Sequence, residues 1–174
     1  GTSHRILVEQ ADLNTTLNAG ATYFAEAQYV TPHEYAWCQA NPTQCNMFNN
    51  VSYRRYNVSG TTSFTFPTGG FSTVREKVAL EAWTGATVVP FRPSTADGMG
   101  YVGYKVTNPS PGVWHYEYAI YNMNLDRAIQ SFGIPYGTGV RLSNVGFHAP
   151  PQHPGSAADG TDGDQGFSDT PWSQ

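Results

Sequence analysis

Four residues in the C-terminal half of the chain have side chains that ligate transition metals: His115, Glu117, His148 and His153. His115 and Glu117 are two positions apart in an alternating stretch, so both point to the same side of a strand. Imidazoles with a carboxylate would bind zinc or copper, as in a metal-dependent extracellular enzyme. The spacing contains neither HExxH nor HxH and is therefore weak evidence for a metal. In the structural alternative, His115 pairs with Glu117 or with a tyrosine on an outer face, and His148 and His153 cap loop carbonyl groups.

A second set of possible metal ligands lies near the C-terminus, in the sequence DGTDGD. Asp159, Asp162 and Asp164 would offer carboxylate oxygens to calcium on a glycine-rich loop. The order of ligands in an EF-hand and its closing glutamate are both missing. The alternative is a solvated acidic tail.

Aromatic side chains could stack on sugar rings, as in a carbohydrate-binding module. Tyr121, Tyr136 and Trp172 are expected to be exposed and are the candidates for binding a glycan. The aromatic residues that alternate in the stretch 113–121 are instead expected to lie in the core, because aromatics dominate the cores of β proteins. These core candidates are Trp114, Tyr116 and Tyr118.

No motif in the chain marks a hydrolase. The G-x-S-x-G sequence of a nucleophile elbow is absent. Carboxylates such as Glu26, Glu117 and Asp126 are present, but nothing marks two of them as the pair that a glycosidase needs. We therefore assign no catalytic residue, and the sequence favours a non-catalytic chain.

Two cysteines, Cys38 and Cys45, enclose six residues in the sequence CQANPTQC. This spacing suits a disulfide-closed loop that stabilises the fold by about 2–3 kcal/mol. It is not the spacing of a zinc knuckle, and the remaining alternative is a pair of free thiols in a cytosolic protein. The sequence favours the disulfide, and with it an oxidising, extracellular compartment.

The composition also indicates an extracellular β protein. Among 174 residues only 13% are charged, whereas 14% are aromatic, and Lys77 and Lys105 are the only lysines. A net charge of -4 leaves no basic stripe for phosphates, so nucleic acid is not expected as a partner. No apolar run approaches the ~20 residues of a membrane span.

Short alternating stretches separated by Gly/Pro turns predict an all-β fold. We expect an antiparallel β-sandwich in residues 1–148, with one or two short helices inserted, and a Gly/Pro/Asp-rich tail or long loop in 149–174. Helices are predicted to begin at Thr31, which can cap, and at Thr73. The predicted strands cover 21–30, 51–58, 62–66, 101–107, 113–121, 128–135 and 140–147.

The sequences WHYEYAIYN (114–122), LDRAIQSFGIP (125–135) and RLSNVGFH (141–148) resemble a group of secreted bacterial proteins of unassigned function. YFAEAQYVTP (23–32) and NNVSYRRYNVSG (49–60) extend the resemblance over most of the chain. The central strands also resemble immunoglobulin-like repeats of large surface proteins, which implies an immunoglobulin-like sandwich. The resembling proteins are longer on both sides, and this chain opens at Gly1, so we expect a processed piece or subunit. The resemblance supplies no catalytic residues.

These observations predict a non-catalytic structural or interaction module of a secreted or cell-surface protein. Its expected partner is another protein chain or a segment of the same precursor. A metal-dependent extracellular enzyme, or a subunit of one, is the first alternative, and a carbohydrate-binding module is the second.

Overall fold

The computed structural model describes residues 8–29, 31–46, 50–94, 97–125 and 128–148. Within these ranges the chain divides into two compact units. The first unit comprises 8–20, 59–64 and 128–148; the second comprises the described residues of 21–58 and 65–125. His153, the three tail aspartates Asp159, Asp162 and Asp164, and Trp172 lie outside the described residues.

The second unit is built on two antiparallel sheets of three strands each. The first sheet has the order β1-β2-β3 and the second the order β4-β5-β6. The strands are β1 Tyr23–Gln28, β2 Val51–Tyr56, β3 Val74–Arg75, β4 Thr87–Phe91, β5 Gly100–Ser110 and β6 Val113–Asn122. The predicted all-β class is thus confirmed, because the helices of the described chain are few and short.

The helix predicted at Thr31 is present as Pro32–Ala40. The hydroxyl of Thr31 accepts a hydrogen bond from the backbone N–H of Glu34, and Pro32 occupies the first turn, where no N–H is needed. Cys38 lies in this helix and forms the predicted disulfide with Cys45. The bridge therefore ties the end of the helix to the loop that follows it.

The core of the second unit takes residues from both sheets and from the segment between them. Val51 of β2, Tyr101 of β5, Val78 and Met123 are buried in one cluster, against which Leu80 packs. Leu80 belongs to the 3₁₀ helix Ala79–Ala82. The main chain of this short helix is anchored to the first sheet, because the N–H of Ala79 donates to the carboxylate of Glu26, 2.5 Å away.

The helix predicted from Thr73 onward is wrong. Val74 instead lies in β3 and pairs with Tyr53 of β2. Within this stretch only the 3₁₀ turn Ala79–Ala82 is helical. Glu76, between them, has a φ of 60°, a left-handed conformation that a right-handed helix cannot contain. Of this stretch, only Val74–Arg75 forms a strand.

The strands predicted at 62–66, 128–135 and 140–147 are also absent from the described residues. Residues 128–148 belong to the first unit and contain neither a helix nor a strand. A positive φ at Asn144 (52°) interrupts the extended backbone within 140–147, whereas the positive φ of Ala128 (58°) affects only the first position of 128–135. Apolar alternation was present here, but pairing also needs a continuous extended chain.

The first unit is held by hydrogen bonds between distant segments. It contains the four-residue helix Gln10–Leu13. The backbone N–H of Thr15 donates to the carbonyl of Gly60 (3.1 Å), and Gln10 donates to the carbonyl of Thr62 (3.2 Å). His148 meets the carboxylate of Asp12 at 3.0 Å.

Candidate interaction surface

The second sheet has two faces of different character. Val102 pairs with Ile120, Tyr104 with Tyr118, and Val106 with Tyr116. Facing residues of an antiparallel pair lie on one side of the sheet, so these six, with Trp114 by alternation, form what we call the aromatic face. The pairs on the opposite side, the inner face, are Tyr101 with Tyr121, Gly103 with Ala119, Lys105 with Glu117 and Thr107 with His115.

The inner face, not the aromatic face, packs on the core. Tyr101 is 3% exposed. A methyl group added at Gly103 would lie 3.1 Å from the side chain of Leu80. The small Gly103 and Ala119 therefore leave room for the 3₁₀ helix to approach the sheet, whereas a layer of large aromatic rings would hold it away.

The aromatic face is exposed toward the end of the hairpin, where His115 and Glu117 of the inner face are exposed as well, whereas Val102 and Ile120 of the aromatic face are half-buried. Trp114 is 58% exposed, Tyr116 54% and Tyr104 38%, and Val89 and Val106 are exposed beside them. The prediction that Trp114 and Tyr116 lie in the core is therefore wrong, while Tyr118 is half-buried. The rings of Tyr116 and Tyr118 are parallel to within 5°, with centroids 6.4 Å apart.

Strand β6 is also an edge. It is the outermost strand in the order β4-β5-β6, and in the described chain no further strand borders it. Its ten residues contain neither proline nor lysine, the residues with which proteins usually protect an edge. A long edge of this kind is a template for pairing with another strand.

The hairpin of β5 and β6 reaches beyond the third strand of its sheet. Strand β4 pairs with β5 only as far as Thr87 opposite Tyr104, so the part from Lys105 to Glu117 is two-stranded. The side-chain amide of Asn108 donates to the carbonyls of Ser110 (2.9 Å) and Val113 (2.6 Å). These bonds close the irregular end of the hairpin and fix the start of β6.

The residues predicted to bind a transition metal do not form one cluster among the described residues. Nε2 of His115 lies 3.5 Å from Oε1 of Glu117, a contact that the structural pairing and a shared metal would both require. His148 pairs with Asp12 instead of a carbonyl group, and it belongs to the first unit, whereas His115 belongs to the second. Across the described ranges no group of three or more His, Cys, Asp or Glu side chains could hold a metal. The complete set, with His153, stays a prediction.

Glu26 has a role in the structure that the sequence did not indicate. One oxygen accepts a hydrogen bond from the hydroxyl of Tyr121, and the other accepts one from the N–H of Ala79. Burial raises the pKa of Tyr121, and its hydrogen bond to Glu26 raises it further. Both oxygens of Glu26 are thus engaged in joining elements of the fold. An open cleft of about 520 Å³ lies beside them, lined also by Gln28, Leu80 and Met123.

The predicted glycan-binding aromatics fall in different environments. Tyr121 is half-buried on the inner face and engaged with Glu26, so its ring belongs to the packing of the second unit. Tyr136 is 64% exposed, as expected. The exposed rings of the aromatic face were missed as candidates because alternation reveals two faces without revealing which one is covered.

Comparison with known proteins identifies no relative of this chain. No protein-family model, no curated protein and no solved structure matches the chain. No helix among the described residues is long and apolar enough to cross a membrane. The resemblance to secreted bacterial proteins therefore stays a prediction.

Proposed function

We propose that this chain is a non-catalytic interaction module of an extracellular protein, with an immunoglobulin-like sandwich fold, which binds a polypeptide strand. The binding surface would be the aromatic face together with the outer edge of β6. The observation that carries the proposal is the exposure of Trp114 and Tyr116 on an edge strand. The disulfide between Cys38 and Cys45 supports an extracellular setting.

The size of the aromatic face supports a binding role. At about 200 Å² for a whole aromatic side chain, Tyr104, Trp114 and Tyr116 alone leave about 300 Å² of apolar surface in water. Apolar patches of about 300–600 Å² are the largest on most monomers and are often functional. Val89 and Val106 enlarge the patch further.

The energetics indicate that the face and the edge act together. Burying about 300 Å² of this face would contribute about 7.5 kcal/mol at 25 cal/mol per Å². Association itself costs about 4–15 kcal/mol in lost freedom, so the apolar term alone leaves little surplus. Backbone hydrogen bonds along β6 would supply the rest, which favours an added strand over a partner that touches the face alone.

The nature of the edge defines the partner. Strand β6 carries one carboxylate, Glu117, and one imidazole, His115, and its other side chains are uncharged. A matching strand would therefore be largely uncharged, with apolar residues at alternate positions. Long-range attraction between charges would contribute little to such an encounter.

Peptide display against the whole chain tests this proposal without a known partner. We expect alternating apolar peptides to be enriched, and Tyr116→Lys to abolish their retention because a charge would enter the aromatic face. The matched control is Tyr136→Lys, a change at another exposed tyrosine, in the first unit. Failure to enrich any peptide, or equal retention by both variants, would contradict the proposal.

The parallel rings of Tyr116 and Tyr118 favour a second candidate function, binding of a glycan. Apolar faces of sugar rings stack on such aromatic side chains. A glycan array probed with the chain and with the same two variants separates the candidates. A glycan that is retained by the chain and by Tyr136→Lys, but not by Tyr116→Lys, would replace the strand as the ligand.

A further inference from the structure

The distribution of residues along β6 indicates what the partner strand is. Around Tyr116 the order is Trp114, His115, Tyr116, Glu117, Tyr118. If a second copy of this stretch runs in the opposite direction with Tyr116 opposite Tyr116, each aromatic residue faces an aromatic residue. The imidazole of His115 then faces the carboxylate of Glu117. This short stretch is thus complementary to its own antiparallel copy.

We propose that β6 pairs with β6 of a second copy of this chain, antiparallel and with the two-fold axis at Tyr116. This inference rests on the proposed function, because it names the strand that the edge accepts. The β4-β5-β6 sheets of the two copies would then form one continuous sheet. A symmetric dimer of this kind buries the same patch on both copies.

Backbone geometry restricts the choice of register. Along an edge strand, the N–H and C=O groups of every second residue point outward. When two identical edges pair antiparallel, facing residues must therefore differ by an even number of positions. The two-fold axis then passes through a residue that faces its own copy. Within the centre of β6, the possible axes lie at His115, Tyr116, Glu117 and Tyr118.

Charge selects among these axes. With the axis at Tyr116, His115 of each copy faces Glu117 of the other. With the axis at Glu117, two carboxylates would meet, and like charges in facing positions destabilise a sheet. With the axis at His115, two imidazoles would meet and Glu117 would face Val113. With the axis at Tyr118, Glu117 would face Ala119. Only the axis at Tyr116 pairs imidazole with carboxylate.

Pairs within each copy reinforce this register. His115 already lies 3.5 Å from Glu117 of the same strand, on the inner face of the hairpin. In the dimer, two imidazoles and two carboxylates would alternate in one cluster. Lys105, which faces Glu117 from β5, adds a positive charge on each side and donates to the carbonyl of Thr84 (3.1 Å). On the aromatic face, Trp114 would meet Tyr118 twice, with Tyr116 against its own copy between them.

Disulfide trapping tests the register directly. Residues that face each other in an antiparallel pair have Cα atoms about 4.5–5.5 Å apart, within the range that a disulfide spans. The two native cysteines are already bonded to each other. We therefore expect Tyr116→Cys to form a covalent dimer under mild oxidation.

Ile120→Cys is the matched control, because Ile120 lies on the same face of the same strand. In the proposed register, the two copies of residue 120 are eight positions apart, or about 27 Å. We expect at least tenfold less covalent dimer from this variant. Equal trapping of both variants, or trapping that is strongest for Glu117→Cys, would overturn the register.

A charge exchange tests the same pairs without a covalent bond. We expect His115→Glu to weaken the dimer at least tenfold in sedimentation equilibrium, because carboxylates then face carboxylates. Exchange of both residues, His115→Glu with Glu117→His, restores the imidazole–carboxylate pairs between the two copies and should restore the dimer, although Lys105 of the same copy then faces an imidazole in place of a carboxylate. Circular dichroism of each variant establishes that the monomer is folded.

The outcomes separate this inference from the proposed function. A chain that stays monomeric at millimolar concentration and is not trapped through Tyr116→Cys overturns the self-pairing. If display peptides still bind that chain and are lost with Tyr116→Lys, the interaction module stands and its partner is a different polypeptide. If neither peptides nor a second copy bind, both proposals fail.

Discussion

The hydroxyl of Tyr121 donates a hydrogen bond to the carboxylate of Glu26 and thereby links the last strand of the second sheet to the first strand of the first sheet. Tyr121→Phe removes this donor, so one oxygen of the half-buried Glu26 carboxylate loses its hydrogen bond from the tyrosine. We expect the free energy of unfolding to fall by about 1.5–3 kcal/mol, measured by urea denaturation. Tyr116→Phe, whose ring is exposed, is the control and should change little. Equal effects would contradict the role assigned to this bond.

Buried tyrosines make stability depend on alkaline pH. Burial raises the pKa of Tyr101 to about 12, with help from Glu81 and Glu26, and it raises the pKa of Tyr121 as well. In the unfolded chain both tyrosines ionise near pH 10.0. The unfolded state therefore loses these protons first, so stability is fully present below about pH 10 and falls as the pH rises from about 10 to 12.

Denaturation curves recorded between about pH 9 and pH 12 measure this fall. We expect the double variant Tyr101→Phe/Tyr121→Phe to lose stability less steeply over that interval. An identical slope in the double variant would mean that other groups are responsible.

The assignment of the two faces of the second sheet can be tested by stability alone. Trp114→Ala and Tyr116→Ala remove exposed rings, and each should lower the free energy of unfolding by less than about 1 kcal/mol. Tyr101→Ala empties a buried site and should cost about 3–5 kcal/mol. A large fall in the free energy of unfolding for Trp114→Ala would mean that this ring belongs to the core, which would contradict the proposed binding surface.

The close approach of Leu80 to Gly103 predicts that two positions of β5 respond differently to the introduction of valine. Gly103→Val would press its side chain against Leu80 and should destabilise the chain by about 1–3 kcal/mol, although valine favours strands. Thr107→Val, on the same strand but exposed, should stay within about 0.5 kcal/mol. A neutral Gly103→Val would show that the 3₁₀ helix can move away from the sheet.

The disulfide closes a short loop, so its removal should have a moderate effect. Cys38→Ser/Cys45→Ser is expected to lower the free energy of unfolding by about 2–3 kcal/mol in the chain-entropy account. Thermal unfolding of the wild-type chain with and without reductant gives an independent measurement. No difference in either comparison would mean that the loop is already ordered by Asn41, which accepts hydrogen bonds from the backbone of Gln44 and Cys45.

Local signals in the sequence were sufficient for several elements. Thr31, Pro32 and Glu34 predicted a helix start because capping involves only near neighbours. The alternation in 113–121 predicted β6, since a strand has a period of two. It could not show which side is covered, because the covering residue, Leu80, and the gap that receives it at Gly103 lie in other segments.

Long-range pairs were beyond the reach of periodicity. His148 meets Asp12 across 136 positions, and Tyr121 meets Glu26 across 95. Nothing in the neighbourhood of any of these residues indicates its partner. Residues 140–147 show the converse, because the apolar alternation was present locally while Asn144 adopts a conformation that a regular strand excludes.

The two hydrogen bonds from Asn108 have a consequence for entropy. They hold the irregular end of the hairpin, so the first residues of β6 are ordered before any ligand arrives. An edge that already has its bound conformation loses little freedom when a strand is added, and preorganisation of this kind raises affinity without a new contact. Affinity for any added strand should therefore depend on a side chain that the strand never touches.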